Sequence, residues 1–503
     1  MNRILLIILL LSCQQIVSAQ LNFPKPIRGT WLNLTYQDVR NKYMNPQHID
    51  NLSPSFWKSK VEELAEMQIE YLIIMAVANE GKSFYPSDFM LPAYPKKSMS
   101  PVEAIIRTAD SLNLKVFMST GWAKDQDDNL GDSKIRQIQL KIMEETAALY
   151  KDYNSFYGWY LPVEDCMEPY LSEHAVDAVN FLTAKTRKLT PNKKVLISPY
   201  GLCNADLTNP KFGEQIKKLK VDIISYQDEV GCVREPMPMK RMKEHFQQLK
   251  KIHDQTNIQF WANNELFTWE KGLNSRESAL IPPAFPRVLS QMIGVEQAGV
   301  SEIISFAVYG LMDFPNSPYP IAQPIMSSLF YKDYQSYLRG EGRWPLLAST
   351  FKNDRINSLT PQISLENSKA TFSGEISQLK DRLYGEELTS DSNWVKGQDT
   401  VSLIVDLCKL VDLNNVGVRL LNYKPENICF PQNIRLLASH DAINFYRIAN
   451  LDVPEWSNDL HDCWIDMAFV DSLNIATQYL KIEIIGAKGY SFMLDEIFIN
   501  AVN

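Results

Sequence analysis

Between Arg28 and Phe306 the chain alternates short apolar runs with longer segments of helical periodicity. Eight runs read as strands: Gly29–Leu34, Tyr71–Val77, Leu114–Ser119, Phe156–Leu161, Val195–Ser198, Val221–Tyr226, Ile258–Ala262 and Glu302–Ala307. Each leaves room for a helix after it, and several of those helices carry start signals. Ser53-Pro54 precedes Trp57, Val61 and Leu64 at helical spacing, while Ser100-Pro101-Val102-Glu103 joins an N1 proline to a capping box. Met239, Met242, Phe246 and Leu249 make an apolar stripe that reads as core. Eight strand-plus-helix units in succession predict an α/β fold, a (β/α)8 TIM barrel with enlarged top loops. A doubly wound open sheet is the alternative. No GxGxxG or GxxxxGK[ST] follows any of the runs, which removes the usual nucleotide-binding use of that sheet.

After a helical stretch at Pro324–Leu338 the pattern changes, near Gly340–Pro345. Short β-like runs follow from Gln362: Ser402–Leu407, Gly417–Leu421, Ile434–Ser439, Tyr479–Ile485 and Ile497–Ile499. Polar turns separate them, which predicts an all-β sandwich. Five segments carry a resemblance to a known fold. They are Val405-Asp406-Leu407, Val416-Gly417-Val418, Ile434 to Asp441 with Phe445-Tyr446, Tyr479 to Ile482, and Leu494 to Ile497. They resemble the galactose-binding-like (discoidin-type) jelly-roll sandwich that often follows secreted glycosidase domains. The resemblance implies the fold and no ligand residue. Trp344-Pro345-Leu346-Leu347 joins the two parts with apolar residues rather than a Gly/Ser tether. The expected organisation is a leader over 1–19, a barrel over 20–345 and a sandwich over 346–503. Trp394, Trp456 and Trp464 are the only tryptophans past 344, so weak glycan binding at most is expected of the sandwich.

The leader is expected from Arg3, the apolar run Ile4–Leu11 and the small-residue site Val17-Ser18-Ala19. That apolar run is too short for a membrane span. Leu10-Leu11-Ser12-Cys13 resembles a bacterial lipobox, with a lipid anchor on Cys13 as the competing reading. Either route implies export to the periplasm, the cell surface or the medium. A net charge of -8 and a pI near 5.5 argue against a nucleic-acid partner. Six histidines at 48, 174, 245, 253, 440 and 461 show no HxxxH, and no Cys-x-x-Cys occurs, so no metal or other cofactor is expected. In an exported chain Cys203 and Cys232 follow neighbouring strands and could pair. Cys166 is a competing partner for Cys203, and three free thiols are the other outcome.

The candidate chemistry lies at strand ends. Phe156-Tyr157-Gly158-Trp159-Tyr160-Leu161-Pro162-Val163-Glu164-Asp165 is a buried strand that meets a proline and then a carboxylate. Glu164 is either a catalytic acid at a barrel mouth or a solvated cap for the next helix. The seventh strand ends in Asn263-Asn264-Glu265, placing Glu265 at the matching position. A retaining glycosidase needs two such carboxylates roughly 5–5.5 Å apart. Asp228 and Glu229, after the sixth strand, are further acids that could act or bind. Trp31, Trp122, Trp159, Tyr200, Tyr226, Trp261 and Tyr309 lie at or near strand tops, where aromatic faces stack on sugars, and Asn264 is a further candidate for substrate contact.

The four/seven placement of Glu164 and Glu265 resembles the clan A glycoside hydrolases. It implies that Glu164 is the acid/base and Glu265 the nucleophile on a poly- or oligosaccharide. Val163 stands where that clan usually has an asparagine for the sugar 2-hydroxyl. The barrel-plus-sandwich layout is also similar to exported proteins of gut Bacteroidetes that carry domains of unknown function. A serine hydrolase lacks its GxSxG, and a metal-dependent hydrolase lacks its histidine cluster. The rival from another class is a carbohydrate-binding or scaffold protein on a barrel that has lost catalysis.

Overall fold

Eight parallel strands close into a barrel in the order β1-β8-β7-β6-β5-β4-β3-β2. They are β1 (Gly29–Leu32), β2 (Tyr71–Ile74), β3 (Lys115–Ser119), β4 (Phe156–Tyr160), β5 (Lys194–Ile197), β6 (Ile223–Gln227), β7 (Gln259–Glu265) and β8 (Glu302–Phe306). The helices that alternate with them are α1 (Pro54–Glu66), α2 (Pro101–Ser111), α3 (Ser133–Tyr150), α4 (Glu173–Leu189), α5 (Pro210–Lys218), α6 (Met239–His253) and α7 (Phe285–Ala298), with α8 (Ile325–Leu338) after β8. The TIM barrel expected from the apolar runs is therefore present, strand for strand. This computed structural model describes residues 24–501, apart from 36–41, 126–127, 232–235, 272–277, 322–324, 354–358, 367–370 and 456–461. The leader, Cys13, Cys232 and Trp456 lie outside the described residues.

The helix starts have a local cause. Ser53 Oγ accepts the N–H of Phe56 at 3.3 Å, and Ser100 Oγ accepts that of Glu103 at 3.1 Å, each just ahead of a proline at the first helical position. The expected capping box at Ser100 is only half formed, because the Glu103 carboxylate pairs with Arg107 at 2.6 Å. At the N-terminal mouth of the barrel Arg28 bridges strands, with Nη1 2.8 Å from both Glu302 oxygens and Nε 3.1 Å from Glu70. That mouth is tied by ion pairs. The candidate site residues lie at the other end.

One irregularity decides what faces inward. Against β3, Val116 pairs with Phe156 but Phe117 pairs with Gly158, so β4 carries one extra residue, a β-bulge. Tyr157 then packs on the inner cluster, and Gly158 follows it where a Cβ would lie 2.8 Å from the Phe117 ring. Tyr160 points inward and Trp159 outward. Trp31, Tyr71, Phe117, Tyr160, Leu196, Trp261 and Ile304 fill the interior.

The chain divides into two compact units, one of Pro26–Gln335 and one built mainly from Ser336–Trp456 and Cys463–Asn503. In the second, α9 (Trp344–Phe351) occupies the segment expected to be a linker. Its strands are β9 (Gln362–Leu365), β10 (Thr371–Ser373), β11 (Val395–Gln398), β12 (Thr400–Leu413), β13 (Val416–Tyr423), β14 (Asn433–Ser439), β15 (Tyr446–Asn450), β16 (Cys463–Val470), β17 (Ile475–Ile485) and β18 (Ser491–Ile499). They form two antiparallel five-stranded sheets, β9-β12-β17-β14-β15 and β10-β11-β18-β13-β16, the expected sandwich. Arg343, at the start of α9, clasps the buried Asp466 of β16 through Nε at 2.8 Å and Nη2 at 3.3 Å. Trp394 and Trp464 are both buried, the first donating to the Glu386 carbonyl at 2.8 Å, so neither is a loop platform for sugar. Among the described residues no helix is long and apolar enough to cross a membrane.

Candidate active site

β7 supplies the deepest acid. Its inward residues are Gln259, Trp261, Asn263 and Glu265, since successive side chains alternate between faces. Trp261 packs low in the barrel, 4.9 Å from the Tyr71 ring, and donates to Gln259 at 3.2 Å. It is a floor residue. Asn263, one layer up, accepts the Trp31 indole N–H at 3.1 Å and donates to Ser198 at 3.2 Å. Glu265 ends the strand, and its side chain is almost fully buried. Gly231, in the loop after β6, lies against it, where a Cβ would be 2.4 Å from the Phe267 carbonyl and 3.0 Å from Glu265 Cβ. Only glycine lets that loop approach so closely.

β4 supplies the second acid. Pro162 ends the strand pairing, and Glu164 stands half-buried just beyond it. The Tyr160 hydroxyl donates to Glu164 Oε1 at 3.3 Å. Burial, and then the Glu164 carboxylate, push the Tyr160 phenol well above its ordinary range, so it acts as a fixed donor. The Tyr160 ring meets Trp31 edge-on, with centroids 4.5 Å apart. Glu164, Tyr160, Trp31 and Asn263 thus form one continuous inner layer, and Glu265 stands on the same face of β7, two residues above Asn263. Tyr160, Asn263 and Ser198 were not among the residues singled out from the sequence.

The other expected site residues fall into two groups. Trp122, in the loop after β3, belongs to the inner cluster and lines a 260 Å³ cavity beside Glu164. Tyr200 joins the loop after β5 to that after β4, its carbonyl accepting the Met167 N–H at 2.9 Å. The Tyr309 hydroxyl ties the loops after β8 and β1, bonding both the N–H, at 3.0 Å, and the carbonyl of Asn33. The remaining residues face away from the axis. Trp159 is turned outward by the bulge, and its indole N–H reaches Thr190 at the end of α4, 2.7 Å away. Tyr226 is fully buried and donates to His253 Nε2 on α6 at 3.1 Å, while His253 Nδ1 lies 3.0 Å from the Ile258 carbonyl. Asn264 is sent outward by the alternation of β7, with neither carboxamide atom hydrogen-bonded. None of these three is placed to meet a substrate in the barrel mouth.

The two further acids serve the backbone. Asp228 is wholly buried and accepts from the Glu265 N–H at 3.1 Å, the Val230 N–H at 3.3 Å and Gln291 Nε2 at 2.6 Å. Burial raises its carboxyl to about 6, against the lowering effect of those donors and of Arg287. Glu229, at a positive φ of 56°, accepts the N–H groups of Gly201 and of Cys203, the latter at 2.9 Å, and so holds the loop after β5. Among the described residues no group of three or more His, Cys, Asp or Glu is placed to hold a metal ion.

Three solved structures are similar to all or part of the chain, and the first of them shares its fold. One is a candidate alpha-L-fucosidase from Bacteroides thetaiotaomicron VPI-5482, at 19% identity and a TM-score of 0.51, covering 64% of this chain and 95% of its own. A Ruminococcus gnavus GH29 fucosidase, a point mutant in complex with fucose, is 11% identical with a TM-score of 0.33, over 95% of this chain and 92% of its own. CpGH89CBM32-5 from Clostridium perfringens, in complex with GalNAc-beta-1,3-galactose, is 13% identical with a TM-score of 0.20, over 28% of this chain and 99% of its own. No curated protein matches the sequence. Residues 27–319, which contain every strand of the barrel, match the family DUF4434, a domain of unknown function, and the chain belongs to that family.

Proposed function

We propose that the protein is an exported glycoside hydrolase acting on a poly- or oligosaccharide with retention of configuration. The observation that carries this reading is the inner layer running from Glu164 through Tyr160, Trp31 and Asn263 towards Glu265. It supports carboxylates at the tops of β4 and β7, facing one barrel mouth. In the first step Glu265 attacks the anomeric carbon while Glu164 protonates the departing glycosidic oxygen. The C–O bond breaks and a glycosyl ester forms on Glu265. In the second step Glu164 takes a proton from water, whose oxygen attacks the same carbon and releases Glu265. Net inversion twice gives retention. A protein of the same fold carries the fucosidase name, so α-L-fucosides are the first substrates to try.

The test is turnover of a panel of aryl glycosides, α-L-fucoside included, by wild type and Glu265→Gln, with the product anomer read by NMR. Turnover lost in the variant and a retained anomer support the reading. An inverted anomer removes the nucleophile role. Val163, where an asparagine is usual, favours a second reading as a carbohydrate-binding protein without catalysis. Saturable glycan binding with no turnover on any glycoside would establish that one instead.

A further inference from the structure

Beside Glu164 the barrel unit holds a cavity of 260 Å³ walled by Trp122, Gln139, Pro162, Glu164, Asp165 and His174, among others. Its walls come from the loops after β3 and β4 and from α3 and α4; nothing from β6, β7 or the loops after them contributes. It therefore lies on the side of Glu164 away from Glu265. Most of its polar groups are committed. Asp165 accepts from the N–H and hydroxyl of Ser172 at 2.6 and 3.2 Å, and Asp128 accepts the N–H groups of Ala123 and Lys124 at 2.5 and 2.9 Å.

Gln139 is the exception. It is 3% exposed, and its Nε2 donates to Thr120 Oγ1 and to the Gly121 carbonyl, both at 3.1 Å. A carbonyl only accepts, so the amide orientation is fixed by that contact. Oε1 is left buried with no partner. A buried acceptor without a donor is costly, and such groups are kept where something else supplies the donor.

We infer that this cavity is the leaving-group subsite of the proposed glycosidase, and that Gln139 turns its buried Oε1 to accept a hydroxyl of the sugar held there. The inference rests on the hydrolase reading. A general acid must stand within hydrogen-bond reach of the glycosidic oxygen. With Glu265 on the axial side, the departing sugar then extends to the other side of Glu164. The volume suits a single sugar ring. Trp122 offers an aromatic wall to its C–H face.

The test is ligand-observed NMR titration of the full chain with L-fucose, D-galactose, D-glucose and N-acetyl-D-glucosamine. Wild type, Gln139→Leu, Ala178→Leu and Glu265→Gln are compared. Ala178 lines the cavity from α4, and its replacement fills space without removing any side-chain hydrogen bond. At least one sugar is expected to bind, with a Kd raised tenfold or more by Gln139→Leu and by Ala178→Leu and little changed by Glu265→Gln. Unaltered melting of Ala178→Leu separates loss of the site from loss of the fold. Binding that ignores both cavity variants, or no binding by any of the four sugars, overturns the inference. If Glu265→Gln alone abolishes binding, the sugar sits on the axis: the subsite falls and the hydrolase reading stands. If the cavity variants abolish binding but wild type cleaves no glycoside, a sugar site remains and the hydrolase reading falls.

Discussion

The backbone N–H of Glu265 points at Asp228 Oδ1, 3.1 Å away, while Gln291 holds the other oxygen of the same carboxylate at 2.6 Å. An acid just after β6 and an amide from α7 therefore fix the last residue of β7. Asp228 is expected to position Glu265 rather than to react. Asp228→Asn, which turns one acceptor into a donor, is expected to lower kcat by about 10- to 100-fold with KM little changed, from the loss of one buried hydrogen bond. The Asp228 carboxyl is raised to about 6. Wild-type kcat should therefore fall as pH drops below about 6, and that limb should vanish in the variant. The sign for stability is opposite. A raised native pKa means the folded state holds its proton longer than the unfolded chain, so this group costs stability as pH rises towards 6.

The two carboxylates separate by leaving group. Glu265→Gln should abolish cleavage of every glycoside, by at least about 1000-fold on the scale of a lost covalent step, with an unchanged melting temperature. Glu164→Gln should cripple alkyl and sugar leaving groups while sparing activated aryl glycosides, which need no protonation. Steady-state rates on a series of aglycones of graded pKa check both. Equal losses on all leaving groups for Glu164→Gln would remove its acid role.

In the sandwich, Glu496 of β18 is buried and accepts the Arg382 N–H at 2.8 Å. Burial first, with Asp381 adding to it, raises its carboxyl to about 8 from an ordinary 4.5. The folded state thus holds this proton across pH 4.5–8, and the stability it contributes is complete below 4.5 and lost as pH rises through 8. Glu496→Gln keeps an acceptor for Arg382 without the charge. It should stabilise the chain at pH 9 by on the order of a few kcal/mol and leave pH 5 almost unchanged. Denaturant midpoints at the two pH values measure this.

The start of the second unit offers a fourth expectation. Arg343 lies outside the sandwich as delimited from the sequence, yet it holds the buried Asp466. A fragment of 336–503 should be well folded, and one of 346–503 should be destabilised by about 3–5 kcal/mol, because it strands that carboxylate. Arg343→Ala in the full chain should unfold the sandwich at a similarly lowered denaturant concentration. Sugar binding by the 336–503 fragment should be weak, since Trp394 and Trp464 are buried.

Strands buried on both faces announce themselves as continuous apolar runs, which is why Tyr71–Ile74 or Glu302–Phe306 could be placed from sequence. The strand Cys463–Val470 could not, because Asp466 interrupts it and the partner that neutralises that charge lies 123 residues away. The places of Glu164 and Glu265 at the ends of β4 and β7 were legible from the strand-like runs before them. Asn264 is a candidate from the sequence and Asn263 is not, yet the alternation starting from Trp261 selects Asn263, the residue two before the acid. Trp159 is turned outward by an extra residue whose one local mark is the glycine beside it, Gly158. Gln139 left no trace at all, for its meaning lies in an oxygen that a helix carries to a distant loop without a partner.

The extra residue in β4 also sets how this chain must be compared with relatives. Aligned to a regular strand without a gap, Trp159 would be scored in the inward column and Tyr160 in the outward one, and every position after the strand would be counted one place out of step. Glu164 would then be matched to a neighbour's wrong residue, and so would Val163 before it. Opening a single gap at Tyr157 restores the phase. Only in that frame can a family-wide census say whether the acid and the residue before it are kept.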